Sequence, residues 1–405
     1  MLSETPVLNQ ITGLVKRGHE VDIFGDRPRA ESPYHPSIDA YDLLKRAYYR
    51  PDLPSTSLSR WTRSLRLLAS SRGVDRRALL RSMNVVRFGT RSATGRLPLQ
   101  AAQFLPARHY DIIQAGFGEQ GLKALRMKRV GAISGKLVTA FRGADISRHL
   151  QSRGQSVYRR LFREGDLFLP VSKAFQDRLV SLGCPPEKIR VHRTGIDLTA
   201  FSFTPNPPGP AARLVSIGRL VEKKGLEDGL HAVALLQAEG LDLSYTIVGD
   251  GPLRASLEEV ANQLGVKKVK FTGAVEQRQV SDYLAASDIL LAPSVKARNG
   301  DEEGIPNVLK EAMALGRPVV STRHSGIPEL VEDGVTGFLA DEHDARGLAG
   351  ALHLLLEHPD RWPTIQAAAR RKIELEYDID RLNDQLVEHY KNVSLPLTPH
   401  RSPLL

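Results

Sequence analysis

Thr204-Pro205-Asn206-Pro207-Pro208-Gly209-Pro210 puts four prolines into seven residues at the middle of the chain. Proline lacks the amide N–H and clashes with the preceding helical turn, so neither a helix interior nor a central strand can form there. The segment is a linker. On each side of it, short β-rich runs alternate with helical patterns, the mark of parallel α/β layers. Before the linker the strands are expected at 20–24, 110–114, 136–141, 167–170 and 189–193. After it they are expected at 213–217, 244–248, 269–272, 289–292 and 318–321. Helices are expected at 7–17, 226–238, 344–356 and 362–390. A chain of 405 residues suits two such units better than one. The expected fold is α/β with two Rossmann-like domains facing a cleft. The first spans 1–204 with a basic helical insert at 45–108, and the second spans 211–372. A helix at 373–393 folds back onto the first, and the tail 394–405 reads as disordered. Ligands of such sheets bind at the carboxyl ends of the strands. The chain opens with Leu2-Ser3-Glu4-Thr5-Pro6 and runs straight into a helix, where a parallel domain ordinarily opens with a strand. Either the domain lacks its first strand, or Met1 lies downstream of the true start.

Charge is unevenly spread. Residues 45–108 hold 14 Lys and Arg against Asp52 and Asp75, a net of +12 in a chain whose total is +10. A basic block attracts phosphates, nucleic acid or an anionic leaflet. Leu65, Leu67, Leu68, Leu79, Leu80 and Val85 among the arginines suggest amphipathic helices, which suit either plain solvated surface or a membrane face. Nucleic acid ranks below both, because aromatic stacking residues are few. No stretch reaches the roughly 20 apolar residues of a membrane span, and the start does not read as a signal peptide. One cysteine, Cys184, excludes an intrachain disulfide and fits a reducing compartment; it reads as a packing residue. The expected location is the cytoplasm, with peripheral contact at the inner face of the membrane.

The strongest chemical signal is Glu303-Gly304-Ile305-Pro306-Asn307-Val308-Leu309-Lys310-Glu311. Pro306 at a first helical position predicts a helix from about residue 306. Its unpaired N–H groups form an anion site for a diphosphate or sugar hydroxyls. Glu303 lies ahead of that helix and Glu311 about one and a half turns inside. Carboxylates accept paired hydroxyls well, although, taken alone, Glu311 reads as surface charge complementing a helix start, and Glu303 suits that reading and the functional one equally. The second signal is Gly218-Arg219-Leu220-Val221-Glu222-Lys223-Lys224-Gly225, between a strand and a helix, where α/β proteins hold phosphates. Arg219 can grip a phosphate through two parallel N–H bonds and Lys224 adds a point charge. The third, Val248-Gly249-Asp250-Gly251-Pro252, lacks the last glycine of a dinucleotide fingerprint and reads as a turn lining the cleft. Asp378-Ile379-Asp380 lies in helical surroundings and not at a strand end, so no obligatory metal is expected. Neither Gly-x-Ser-x-Gly nor a phosphate-loop signature is present, which lowers hydrolase and NTPase readings.

Taken together, these segments resemble a known family. Gly218-Arg219…Lys224-Gly225, Val248–Pro252, Phe271-Thr272-Gly273, Leu291-Ala292-Pro293-Ser294, Glu303…Glu311-Ala312-Met313-Ala314-Leu315-Gly316 and Gly326-Ile327-Pro328-Glu329-Leu330-Val331 stand in the order of the donor domain of family 4 retaining glycosyltransferases, whose fold is called GT-B. Ser3-Glu4-Thr5…Leu8-Asn9…Gly13-Leu14…Gly18-His19-Glu20-Val21 is similar to the subgroup that builds colanic-acid-like exopolysaccharides. The resemblance implies a hexose moved from a nucleotide-diphosphate sugar to a carbohydrate or lipid-linked oligosaccharide. It implies no cofactor beyond that co-substrate and no nucleic-acid partner. Arg219 and Lys224 would neutralise the leaving diphosphate, Glu303 would sit near the reacting carbon, and Glu311 would bind ribose. The backbone of Gly304, Ile305, Pro306 and Asn307 would hold sugar hydroxyls, with Gly249, Gly273 and Ser294 around the nucleotide. Phe141-Arg142-Gly143-Ala144-Asp145 matches a loop that usually reads Phe-His-Gly-x-Asp and places Asp145 on the acceptor side. Arg142 cannot deprotonate at neutral pH, so its part in catalysis would be to stabilise phosphate charge. This departure leaves a second reading open, a catalytically impaired relative that binds nucleotide sugar. UDP-hexoses and GDP-mannose are both open as donors.

Overall fold

The fold comes from a computed structural model that describes residues 5–25, 37–50, 52–70, 76–104, 108–207, 209 and 211–394. The expectations resting on Leu2-Ser3-Glu4, Asp75, Pro208, Pro210 and the tail beyond residue 394 lie outside the described residues. Eleven strands run through the described part: β1 Ile23–Gly25, β2 Ala47–Tyr49, β3 Arg108–Ala115, β4 Ile133–Phe141, β5 Leu167–Pro170, β6 Ala212–Ile217, β7 Leu243–Val248, β8 Val269–Phe271, β9 Ile289–Ala292, β10 Val319–Thr322 and β11 Phe338–Ala340. Every pairing between them is parallel.

After the linker, six strands form one sheet in the order β11-β10-β9-β6-β7-β8. Both faces are covered, so strands such as Ile289-Leu290-Leu291-Ala292 are apolar throughout instead of alternating. One face carries the helices Leu226–Ala238 and Ala345–Glu357, packed through Leu230, Val233, Leu348 and Leu352. The other carries Asn307–Leu315 and Trp362–Glu376, packed through Leu309, Ala312, Met313 and Ile373. Strand order turns round between β6 and β9, which makes the crevice at their carboxyl ends the binding point of the sheet.

Before the linker the strands fall into two sheets, β3-β4-β5 and β1-β2. Among the described residues no strand precedes the helix Thr5–Lys16, and β1 and β3 do not pair with each other. They stand on either side of an open cleft of about 2480 Å³. The strand expected at 189–193 does not form as such. Arg190 and His192 donate N–H bonds to the carbonyls of Phe168 and Pro170, but only one bridge, Phe168 to Ile189, is completed. Strand 20–24 starts later, at Ile23, and the short β2 and β11 were not foreseen.

The expected helix 362–390 is two helices, Trp362–Glu376 and Ile379–Ser394. The break serves a contact. Ile196 donates its N–H to the Tyr377 carbonyl at 3.0 Å, and Ile379 donates its own to the Ile196 carbonyl at 3.1 Å. The second helix then lies on the first unit. Leu386 is buried among Val138, Ala140, Leu167 and Leu169, Arg17 pairs with Asp380 and Asp384, and the Tyr390 hydroxyl donates to Gln114. The block 45–108 folds mainly as short helices packed against Arg96–Ala102. Not all of its charge faces solvent: Arg60 is buried and donates to the carbonyls of Thr94, Pro54 and Ser55. Cys184 is buried in the core of the first unit, as its sequence setting suggested.

Candidate active site

The crevice between β6 and β9 is lined by Gly218, Lys224, Pro293, Ser294 and Pro306. Its shape depends on missing side chains. Gly249, with φ of 135°, lies so close to β6 that a Cβ there would meet the Gly218 carbonyl oxygen at 1.9 Å. Gly225, with φ of 59°, would meet the Pro293 carbonyl at 1.8 Å. That second approach ties the turn Glu222–Lys224 to the end of β9 and folds Lys224 back over Gly218. Gly249 also bridges Gly273, so three strand ends meet without side chains. Arg219 projects from the same turn and is exposed.

Glu303 faces this turn from the loop before the helix Asn307–Leu315. Its carboxylate lies 3.0 Å from Lys224 Nζ and 3.5 Å from Lys223 Nζ. Burial alone would push its pKa up, but Lys224 and then Lys223 outweigh that and hold it at about 2. Glu303 is therefore a permanent carboxylate, suited to facing positive charge and unsuited to giving a proton. Pro306 is the capping residue of the helix, with extended backbone, and Asn307 is its first helical residue, one position later than expected. Asn307 and Glu311 point into the large cleft, whose other wall includes Gln10, Gln114 and Gly116 of the first unit. Glu311 is buried, and desolvation raises its pKa to about 7 against the favourable charge of Lys310. Lys310, wholly buried, donates to the carbonyl and hydroxyl oxygens of Thr194, and burial lowers its pKa to about 7.

Across the cleft, the loop after β4 packs on the Glu303 loop. A Cβ on Gly304 would stand 2.9 Å from the Arg142 carbonyl oxygen. The Arg142 guanidinium donates to the Gly116 carbonyl at 3.1 Å and to Gln10 Oε1 at 2.6 Å. Asp145, expected on the acceptor side, is buried beneath this loop. It accepts the N–H groups of Arg142, Gly143 and Gly118 at 3.1, 2.9 and 3.0 Å. From there the carboxylate shapes the loop. Burial still leaves its pKa raised, in spite of those three bonds. The neighbouring Glu302 bridges the two units through Arg178 at 2.7 Å.

Two family models match the chain on either side of the proline-rich linker. The one described as Glycosyltransferase Family 4 matches residues 3–200, and the one described as Glycosyl transferases group 1 matches 211–358. The colanic acid biosynthesis glycosyltransferase of Salmonella typhimurium is 38% identical over 389 residues, 95% of each chain. The chain belongs to this glycosyltransferase family. The amylovoran biosynthesis glycosyltransferase of Erwinia amylovora is 37% identical over 390 residues, again 95% of each. Among solved structures, an Anabaena protein crystallised with UDP and glucose superposes with a TM-score of 0.63 at 24% identity. The match covers 75% of this chain and 83% of that one, and shows a shared GT-B fold.

The structure thus gathers Lys224, Glu303, Ser294, Gly249 and Gly273 around one crevice, with Asn307 and Glu311 opening on the cleft beside it. Sequence reasoning missed Lys223, which doubles the charge on Glu303, and the histidine behind the Glu303 loop. Lys223 was adjacent to a residue already singled out and could have been weighed with it.

Proposed function

We propose that this glycosyltransferase is a retaining hexosyltransferase acting on a nucleotide-diphosphate sugar. Its acceptor is a growing, lipid-linked exopolysaccharide or lipopolysaccharide. The observation that carries the reading is the Glu303 carboxylate held by Lys224 and Lys223 at the crevice where the strand order reverses. The glycosyltransferases it matches from Salmonella and Erwinia, named for colanic acid and amylovoran biosynthesis, support the polymer class.

In this reading the diphosphate lies over Arg219, Lys224 and the amide groups at the start of Asn307–Leu315. Ribose hydroxyls donate to Glu311. The bond from the anomeric carbon to the phosphate oxygen breaks, and its electron pair stays on that oxygen. The acceptor hydroxyl attacks the same face and passes its proton to the leaving phosphate. Glu303, always ionised, stabilises the positive charge that grows at the anomeric carbon. Double displacement would need two carboxylates about 5 Å apart on the scissile bond; Glu303 is held by Lys224 and Lys223, and the nearby Asp301 is itself engaged by Lys223 at 3.4 Å. Arg142 adds positive charge at the rim. Neutralisation of the diphosphate is assigned to protein cations, so turnover should persist in EDTA. Proton NMR of the first-formed sugar product tests the stereochemistry. Retention of the donor's anomeric configuration supports the proposal, and inversion overturns it.

The acceptor's lipid end gives the block 45–108 a purpose. Leu58 and Leu65, two turns apart on one face of the helix Ser57–Ser70, are 76% and 54% exposed, and Val86 is fully exposed. Arg63, Arg66, Arg87 and Arg91 stand exposed beside them in sequence. Apolar residues among arginines suit an anionic leaflet. None of the described helices is long and apolar enough to cross a membrane. Sedimentation with phosphatidylglycerol vesicles should be lost on replacing these four arginines by Gln. Unchanged sedimentation would remove the membrane from the proposal.

A further inference from the structure

His324 follows β10 and its side chain is only 1% exposed. Both ring nitrogens are engaged. Nε2 accepts the backbone N–H of Glu303 at 3.1 Å, so it carries the lone pair. Nδ1 therefore carries the proton, and it lies 2.7 Å from Glu342 Oε1. Glu342 Oε2 in turn accepts the backbone N–H of Lys296 at 2.7 Å. The stretch between β9 and the helix Asn307–Leu315 has no regular secondary structure. Its path depends on such straps. One imidazole thus fixes the backbone at Glu303 directly and at Lys296 through Glu342.

We propose that His324 is a positioning residue for Glu303, acting as the neutral Nδ1–H tautomer. It rests on the reading of Glu303 as the carboxylate that faces the anomeric carbon. A ring that gave up its lone pair would set two donors against each other at the Glu303 amide. The loop would then shift, and Glu303 with it, while the part of the nucleotide site formed by Gly249, Gly273 and Glu311 would stay in place. Catalytic geometry is sensitive to shifts of this size: a misplacement of about 1 Å can lower turnover ~100-fold.

Two near-isosteric variants separate the straps. In His324→Asn, the amide can still donate to Glu342 but is too short to reach Glu303. In His324→Gln, the carbonyl oxygen can take the place of Nε2, while the bond to Glu342 is lost. Hydrolysis of UDP-glucose, or of GDP-mannose if GDP is the nucleotide that binds, gives kcat and KM without an acceptor. His324→Asn should lower kcat by roughly 10- to 100-fold, with KM and nucleotide affinity within about two-fold. His324→Gln should keep most of kcat despite an equal or larger loss of Tm. Equal losses of kcat in both, tracking Tm, would overturn the proposal, as would a fully active His324→Asn. Glu303→Gln run in parallel keeps the two readings apart. If it stays active, the role given to Glu303 fails; if it is inactive while His324→Asn is active, only the role given to His324 fails. Nitrogen NMR of histidine-labelled wild type is independent of how the variants fold. His324 should appear as Nδ1–H near pH 7.5, and an Nε2–H tautomer would overturn the proposal.

Discussion

Glu303 and Glu311 sit eight residues apart in one motif, yet the structure gives them opposite electrostatics. Two lysines hold the first ionised, while burial keeps the second poised near neutrality. Glu303→Gln keeps the shape and removes the charge. It should lower turnover by about 100- to 1000-fold, the scale of losing one electrostatic group at a reacting centre, and leave nucleotide binding intact in a calorimetric titration. For Glu311 the pH window follows from its values. The carboxyl ionises near 4.5 when unfolded and near 7 when folded. Between the two, the folded state holds the extra proton, so stability falls as pH rises through that window and the loss is complete above 7. At about 1.4 kcal/mol per unit the cost approaches ~3 kcal/mol. Lys310 acts in the other direction, from about 7 folded to 10.5 unfolded, so stability recovers as pH rises beyond 7. Urea titrations of the unliganded protein should show a stability minimum near pH 7, shallower on its acid side in Glu311→Gln. A flat profile would refute the burial of this pair. The motif's spacing made both glutamates legible. His324 was not, because Thr322-Arg323-His324 after a strand carries no pattern that separates a strap from a packed core histidine.

Elements were legible where pattern and burial agree. The helix Leu226–Ala238 has the bounds its apolar spacing indicates, and five of the six strands of the second unit lie within two residues of expectation. What failed was set by partners distant in sequence. The helix break at Tyr377-Asp378 exists because Ile196 needs that backbone. The segment at 189–193 is extended along β5 but completes only one bridge. At element scale the sharpest test is Gly249→Ala. Its Cβ would press on the Gly218 carbonyl at a backbone angle that suits glycine. Thermal unfolding should show a destabilisation of about 3 kcal/mol together with loss of nucleotide binding. Wild-type stability would mean that β6 and β7 can part at their ends without harm.

At the scale of the whole molecule, the chain crosses between its two units twice, at the linker and at Tyr377. The last helix completes a core that its own unit does not contain. Leu386→Ala should therefore cost about 2–5 kcal/mol through the contacts with Val138, Ala140, Leu167 and Leu169. Limited proteolysis should find the first unit cut before the second. Equal resistance of both would refute that dependence. The two-unit plan was legible from the prolines and the alternation; the division of the first unit into two sheets was not, since pairing between distant strands leaves no local trace. On the proposed reading, the crevice between β6 and β9 binds a nucleotide diphosphate through Lys224. A thermal-shift screen of wild type and Lys224→Ala against UDP, GDP and ADP tests it most directly. One nucleotide should raise the wild-type Tm and lose that effect in the variant, which is otherwise folded. A nucleotide that stabilises both proteins equally would place binding elsewhere and contradict it.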